Sequence, residues 1–283
     1  MNLKAIGDSS PFLDRRRISP IRRLKRRFLD KETPGPEILR PADKALDFSG
    51  FIFVCGLHRS GTTIVEHYIR AHFKVAGLRA DVPESEGQHL QDVLPIARDH
   101  GGPGMFAFEP VMHLGAASED EAAAARDRLL RCWTPFVDGV DGNDRILLEK
   151  SPPNLTRIEW LRSVFPGALF VIVARDPRVV SAATIKWAET SIYELMYHWH
   201  VAYSAALSAW GDDCVTVRYE DFCEDPKKMI TDLEATGRLE KRETPLEIEE
   251  RFASPVNSNA KYVASLRETE FGPGAWDQLG PWF

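Results

Sequence analysis

Residues 56–63, with the sequence GLHRSGTT, combine glycines, hydroxyl side chains and one arginine directly after the apolar run FIFVC. Gly56 and Gly61 permit a tight turn in which successive N–H groups converge on an anion. A helix that begins just after Thr63 adds the positive end of its dipole. Arg59 supplies a guanidinium, which suits bidentate contact with an oxyanion. The segment therefore predicts a phosphate-binding loop between a buried strand and a helix.

The glycine spacing approaches the P-loop of nucleotide triphosphatases, but that motif carries a lysine where Thr62 stands. The segment instead resembles the 5'-phosphosulfate loop of sulfotransferases that use 3'-phosphoadenosine 5'-phosphosulfate (PAPS). In that loop Pro-Arg-Ser-Gly-Thr-Thr or Pro-Lys-Ser-Gly-Thr-Thr is usual, and His58 takes the place of the proline. The resemblance implies a catalytic role for Arg59. It also implies that the donor is bound by His58, Arg59, Ser60, Gly61, Thr62 and Thr63.

A second junction with arginines follows another apolar run, where ALFVIVA leads into RDPRVVSAATIKW. Open α/β sheets bind ligands where a strand passes into a helix, and Arg175 stands at such a point. The resemblance implies that Arg175 binds the 3'-phosphate with a hydroxyl eight positions later, which is Ala183 here. Thr184 is preferred over Ser181 as that hydroxyl. An offset of one helical residue turns a side chain by about 100°, and an offset of two by about 200°.

The segment LEKSPPN ends a further strand with the charged pair Glu149 and Lys150. Taken alone, such a pair is an ordinary ion pair. Many sulfotransferases of this group carry a Lys-x-Pro element that faces the reacting sulfate. The resemblance therefore implies that Lys150 stabilises charge developing on the bridging oxygen and the sulfuryl group.

A late segment, PVNSNAKYVASLRE at residues 255–268, precedes further glycine and proline residues. It resembles the loop that covers the adenosine phosphate in the same family. The resemblance implies that Lys261 contributes a cation there and that Tyr262 offers a stacking surface.

The acidic segment DVPESEGQHL contains three candidates for the general base: Asp81, Glu84 and Glu86. The resemblance implies a catalytic glutamate in this region. Ser85 has the capping-box spacing of a short helix, whose dipole would keep Glu86 ionised. Glu86 is therefore the first choice and Glu84 the second. The alternative is that these acids only form a solvated loop.

The apolar runs at 51–54, 145–150, 168–174 and 214–217 predict strands that alternate with helices. This alternation predicts an α/β fold with a mostly parallel central sheet and helices on both faces. The resemblance implies the P-loop-related sulfotransferase fold. Helices are expected at 64–73, 118–137 with Ser118 as cap, 155–164, 177–187 and 194–210, the last with Trp199, Tyr203, Leu207 and Trp210 in the core. The segment RYEDF is expected to be structural, and His198 and His200 to be hydrogen-bonded helix residues.

The chain has 283 residues, 43% hydrophobic and 28% charged, which is typical of one soluble globular core. We expect a single domain over 49–283 after a basic arm and linker over 1–48. The sequence has neither an apolar run of the roughly 20 residues that a membrane span needs nor a secretory pattern, so a cytoplasmic location is expected. The four cysteines lack metal-ligand spacing, and no metal is expected.

The net charge of −6 hides a basic segment, RRRISPIRRLKRR at residues 15–27. Ile18, Ile21, Leu24 and Phe28 recur among the cations at helical spacing, which favours an amphipathic surface helix. Three roles remain open: a solvated or self-packing arm, contact with an anionic membrane surface, and contact with nucleic acid, which is the least favoured and is not expected.

The resemblance implies transfer of a sulfuryl group from PAPS to an acceptor hydroxyl or amine by in-line displacement. The acceptor class stays open among carbohydrate, lipid, peptide and small molecule, as does the oligomeric state. Two alternatives remain: a P-loop kinase that acts on a small molecule, and a nucleotide-binding protein without catalysis.

Overall fold

The computed structural model describes residues 40–139, 145–263 and 272–280. The basic segment at 15–27, most of the linker that follows it, and the last part of the late segment lie outside the described residues. In the described part of the chain, no helix is long and apolar enough to span a bilayer.

The strands of the described residues form one parallel sheet and one short antiparallel pair. They are β1 (Gly50–Cys55), β2 (Gly77–Leu78), β3 (Val137–Asp138), β4 (Ile146–Lys150), β5 (Leu169–Ala174) and β6 (Cys214–Arg218). The parallel sheet has the order β4-β1-β5-β6, and β2 pairs with β3. Because β1, β4 and β5 run in parallel as neighbours, the loops that follow them lie at one edge of the sheet.

Helices cover both faces of the parallel sheet, as the alternation of elements predicts. The longer ones are α1 (Thr62–His72), α2 (Glu119–Trp133), α3 (Ile158–Val164), α4 (Pro177–Thr184), α5 (Ile192–Ser208), α6 (Tyr219–Glu224) and α7 (Pro226–Ala235). Three short ones follow: α8 (Glu250–Ala253), α9 (Asn259–Val263) and α10 (Trp276–Leu279). Short 3-10 turns fill much of the connection between β2 and α2.

The alternation of side chains along the strands divides the core into two layers. Phe53 and Phe170 face a layer that includes Trp199 of α5. Val54 and Val171 face the other layer, which includes residues of α1 and α7. The predicted fold class, a mostly parallel sheet with helices on both faces, is confirmed.

Two of the predicted helix starts, those of α2 and α4, are confirmed. Ser118 is the predicted cap of α2, where it forms a capping box with Glu121, and Pro177 occupies the first turn of α4 as predicted. However, α4 ends at Thr184 and not at 187. The prediction that Trp210 belongs to the core is wrong, because α5 ends two residues earlier and 44% of Trp210 is exposed.

Candidate active site

The loop between β1 and α1 depends on backbone conformations that glycine permits. Gly61 precedes α1 with φ 93° and no side-chain cap, so the first N–H groups of the helix have no partner within it. Arg59 also has a positive φ, 72°, although it is not a glycine. A Cβ on Gly56 would lie 2.7 Å from the carbonyl oxygen of Val173 on β5. The loop therefore presents open N–H donors and packs closely on the neighbouring strand.

The hydroxyl side chains of this loop face different surroundings. The hydroxyl of Ser60 lies 3.2 Å from that of Tyr203, which donates to a carbonyl of β5. Ser60 and Thr62 are buried, whereas Thr63 donates to Oε2 of Glu84 at 3.3 Å. Of the predicted loop ligands, Ser60 thus directs its side chain into the protein.

The Arg59 side chain is exposed and extends toward the late segment. Its guanidinium carbon lies 5.1 Å from the ring centroid of Trp187, and the ammonium of Lys186 lies 4.8 Å from the same ring. A hydrogen bond from Arg59 lowers the pKa of Tyr262. The structure thus brings the predicted residues Arg59 and Tyr262 together. Lys261 is exposed beside them.

Arg175 lies at the end of β5, buried, with every guanidinium nitrogen donating a hydrogen bond. Its Nε donates to Oδ1 of Asn259 at 3.0 Å, and its Nη2 to the hydroxyl of Ser258 at 3.1 Å. Its Nη1 donates to the carbonyl of Arg59 at 3.0 Å. Burial lowers the pKa of Arg175, while nearby groups such as Tyr219 oppose the shift. Arg175 therefore connects the two predicted anion loops and the start of α9.

Tyr219 and Glu220, in the segment expected to be structural, contact the same loops. The Tyr219 ring lies 4.2 Å below the guanidinium of Arg175, and a Cβ on Gly61 would lie 2.3 Å from it. Oε1 of Glu220 accepts a hydrogen bond from Nδ2 of Asn259 at 2.7 Å. Sequence reasoning missed these residues, although they follow the carboxyl end of β6, a position that the junction rule also marks.

The two hydroxyls proposed for the 3'-phosphate are both buried without a hydrogen-bond partner. They are Oγ of Ser181 and Oγ1 of Thr184. Arg178 pairs with Asp176 in its own turn at 2.6 Å. Both hydroxyls thus remain candidates for a polar partner, and the choice between them stays a prediction.

Lys150 and Glu86 form a buried ion pair at the end of β4. The Lys150 Nζ lies 3.5 Å from Oε1 of Glu86 and donates to the carbonyl of Glu84 at 3.0 Å. Nε2 of Gln88 donates to the other oxygen of Glu86 at 2.5 Å, and Nε2 of His89 lies 3.7 Å from that oxygen. Glu86 is 4% exposed, so it does not belong to a solvated acidic loop.

Burial alone would raise the pKa of Glu86, but the surrounding charges outweigh it. The ammonium of Lys150 is the largest of these, followed by His58 and His89, and the net pKa is lowered. Glu86 is thus ionised at neutral pH. The carboxylate is therefore in the unprotonated form that a general base requires.

The helix predicted to begin at Ser85 is wrong, and so is the helix dipole as the cause of Glu86 ionisation. Ser85 has φ 51° and its hydroxyl donates to the carbonyl of Ala80. Two short 3-10 turns, Pro83–Ser85 and Gly87–His89, replace the helix. The ionised state of Glu86 comes from Lys150 instead.

His58 and Glu66 are two further ionisable groups near this pair. Burial lowers the pKa of His58, whose Nδ1 is buried without a partner. Burial raises the pKa of Glu66 to about 7, although Lys150 and Arg70 oppose the shift. Because Glu66 is partly protonated at neutral pH, Glu86 is the carboxylate that mainly balances the positive charge of Lys150.

Among the described residues, no three His, Cys, Asp or Glu side chains are grouped so as to hold a metal ion. His198 is neutral because burial lowers its pKa to about 3, and its Nε2 accepts the N–H of Ala107. His200 accepts the N–H of Ala275 through Nδ1. The expectation that His198 and His200 are hydrogen-bonded helix residues is confirmed.

A profile described as "Sulfotransferase family" matches residues 52–241, which include most of β1, the glycine-rich loop, β4, β5 and β6. A sulfotransferase from Alicyclobacillus acidocaldarius is similar at 18% identity over 71% of this chain and 87% of that chain, with a TM-score of 0.43. The sulfotransferase domain of the Synechococcus PCC 7002 olefin synthase is similar at 18% identity over 77% and 81%, with a TM-score of 0.44. A retinol dehydratase in complex with androsterone and inactive cofactor PAP is similar at 15% identity over 70% and 60%, with a TM-score of 0.31.

Gly61→Ala should destabilise the chain, because the new Cβ meets the Tyr219 ring at 2.3 Å and the φ of 93° disfavours alanine. Gly237→Ala is the matched control, since Gly237 has φ 65° and nothing within 4 Å of an added Cβ. We expect Gly61→Ala to lower the free energy of unfolding by about 1–3 kcal/mol more than the control does. Urea unfolding followed by circular dichroism measures both. An equal decrease in the free energy of unfolding in both variants would show that the Tyr219 ring moves aside without destabilising the fold.

Glu66 should make stability fall as the pH rises. Its folded-state pKa of about 7 lies above the ordinary value of 4.5, so the folded chain binds more protons than the unfolded chain between these values. Relative to Glu66→Gln, the wild-type free energy of unfolding should therefore decrease between about pH 4.5 and pH 7.5. Urea unfolding across this range tests the difference. A difference that does not vary with pH would contradict the raised pKa.

Proposed function

Because the chain belongs to the sulfotransferase family, we propose that it transfers a sulfuryl group from PAPS to an acceptor hydroxyl or amine. Membership of this family favours sulfuryl transfer over the kinase alternative. The sequence agrees, because Thr62 stands where a P-loop kinase carries its phosphate-binding lysine. The proposal specifies only the reacting group of the acceptor, because carbohydrates, lipids, peptides and small molecules all carry hydroxyl or amine groups.

The observation that carries the proposal is the contact between the two arginine-bearing loops. Arg175 Nη1 donates to the carbonyl of Arg59 at 3.0 Å, so the loops after β1 and β5 meet. A donor with anionic groups at both its 5' and 3' positions suits two adjacent cationic loops. In the proposed complex the loop at 56–63 holds the 5'-phosphosulfate, and Arg175 holds the 3'-phosphate with Ser181 or Thr184.

The chemical step assigns separate tasks to Glu86 and Lys150. Glu86 accepts the proton of the acceptor as the acceptor oxygen or nitrogen bonds to sulfur. The bond between sulfur and the bridging phosphate oxygen breaks, and its electron pair leaves with 3'-phosphoadenosine 5'-phosphate (PAP). Lys150 and Arg59 stabilise the negative charge that develops on the sulfuryl group and the leaving oxygen. Lys150 also lowers the pKa of Glu86, so that the base is ionised before the acceptor arrives.

Arg59→Ala and Arg175→Ala should both weaken the binding of PAP. Each replacement removes a charge-assisted contact worth about 1.5–3 kcal/mol, or roughly a 10- to 150-fold rise in Kd. Isothermal titration calorimetry with PAP measures the effect. Arg128→Ala is the matched control, because Arg128 pairs with Asp92 at the surface of α2. Unchanged affinity in both site variants would remove the donor-site assignment.

Glu86→Gln should lower turnover by about 10²- to 10⁴-fold, the usual loss when a general base is removed. PAP affinity should stay near the wild-type value, because the amide keeps the shape of the side chain. Transfer of labelled sulfuryl groups to acceptors in an extract, resolved by mass spectrometry, gives the turnover. Normal turnover in Glu86→Gln, together with an inactive Glu84→Gln or Asp81→Asn variant, would assign the general base to Glu84 or Asp81 instead. A wild-type chain that binds PAP and transfers nothing would support the non-catalytic alternative.

A further inference from the structure

The carboxylate of Glu149 collects three hydrogen bonds at the end of β4, where it is 3% exposed. Its Oε1 accepts the backbone N–H of Gly87 at 3.0 Å and the hydroxyl of Ser151. Its Oε2 accepts Nδ2 of Asn154 at 2.7 Å. An ionised carboxylate only accepts hydrogen bonds, so it is the side chain suited to three converging donors.

These contacts fix the two peptide units that follow the proposed base. The N–H of Gly87 is held by Glu149, and its carbonyl accepts Nε1 of Trp133 at 3.1 Å. A Cβ on Gly87 would lie 2.6 Å from the Glu149 side chain, so this approach needs glycine. The next N–H, from Gln88, donates to the hydroxyl of Ser151 at 3.0 Å. The segment is thus attached to the strand end by its backbone.

Glu149 and Lys150 hold this segment from consecutive positions of one strand. Their side chains leave β4 on opposite faces, because side chains alternate along a strand. Lys150 contacts the carboxylate of Glu86, and Glu149 contacts the backbone of the residue after it. A shift of the Gly87 N–H away from Glu149 therefore moves Glu86 relative to Lys150.

Burial is the largest influence on the carboxyl of Glu149, and its net pKa is raised. Hydrogen bonds from Ser151 and Asn154 and the charge of Arg157 oppose this shift of the pKa. Arg157 is itself buried, and burial lowers its pKa to about 10. A substitution at Glu149 therefore changes both a set of hydrogen bonds and the balance of two buried charges.

We propose that Glu149 is a positioning residue: its carboxylate fixes the Gly87 backbone so that the carboxylate of Glu86 lies on the ammonium of Lys150. This inference rests on the proposed function, in which Glu86 is the base. Glu149 acts through Glu86 and touches neither the donor nor the acceptor.

The test compares Glu149→Gln with the double variant Glu149→Gln/Asn154→Asp. The single variant removes the charge and replaces one of the two accepting oxygens by an NH₂ group, so that the N–H of Gly87, the hydroxyl of Ser151 and the NH₂ of Asn154 no longer all meet an acceptor. The double variant gives the introduced amide a carboxylate to donate to and restores the negative charge near Arg157. We expect the single variant to lower kcat by about 10- to 100-fold, the range for a misplacement near 1 Å. PAP affinity should stay within about twofold of wild type, and the double variant should recover most of the loss.

The pH profile and hydrogen exchange separate positioning from a general loss of structure. Away from Lys150, Glu86 loses the charge that lowers its pKa, so the acid limb of the kcat profile should move to higher pH in Glu149→Gln. Exchange at the peptide covering residues 84–90 should become faster. A loss of folded protein would lower kcat equally at every pH. Asp213→Asn is the control, because it removes a carboxylate paired with Arg162 by two hydrogen bonds.

Ser151→Ala keeps the proposal testable if Glu149→Gln fails to fold. It removes the acceptor of the Gln88 N–H without changing a charge, and it should produce the same shift of the acid limb in weaker form. Wild-type kcat in folded Glu149→Gln, or an unmoved acid limb with unchanged exchange in the variant that folds, overturns the proposal. A wild-type chain that transfers no sulfuryl group overturns the proposed function, and this inference with it.

Discussion

The buried contact between Lys150 and Glu86 is the interaction on which the arrangement of the site depends. Moving an ammonium and a carboxylate out of water is expensive, and the expense is offset only when the ions pair and their remaining hydrogen-bonding positions are filled. The chain meets this condition with the carbonyl of Glu84 and the amide of Gln88. The segment that carries Glu86 must therefore fold onto the end of β4 before either charge is stable there.

The topology of the sheet brings the other groups to the same edge. With the strand order β4-β1-β5-β6, the loop after β1 lies between the ends of β4 and β5. Lys150, Arg59 and Arg175 come from three distant parts of the sequence, yet each follows or ends a strand of this set. Parallel pairing makes their common location a consequence of the fold. Tyr219, which follows β6, then packs beneath Arg175 and beside Gly61.

Local patterns in the sequence predict the strands and the glycine-rich loop, because apolar runs and turn glycines act over a few residues. The ionised state predicted for Glu86 is also found, but its cause is Lys150 and not the helix dipole that the capping pattern predicts. The positive φ of Ser85 and its bond to Ala80 depend on how the chain returns to β4, and capping rules do not describe that. The hydrogen bond between Arg175 and Asn259 joins residues that are far apart in sequence, so no local pattern predicts it.

The partners of Arg175 have a thermodynamic consequence. Its three guanidinium nitrogens donate to Asn259, Ser258 and the carbonyl of Arg59, so an oxyanion bound there exchanges partners rather than adding them. The affinity of such a ligand is a difference between two sets of hydrogen bonds. Linkage makes this exchange reciprocal: whatever releases α9 from Arg175 favours the anion, and the anion favours release of α9 to the same extent. In the proposed complex, Ser258 and Asn259 therefore compete with the bound anion for the guanidinium of Arg175.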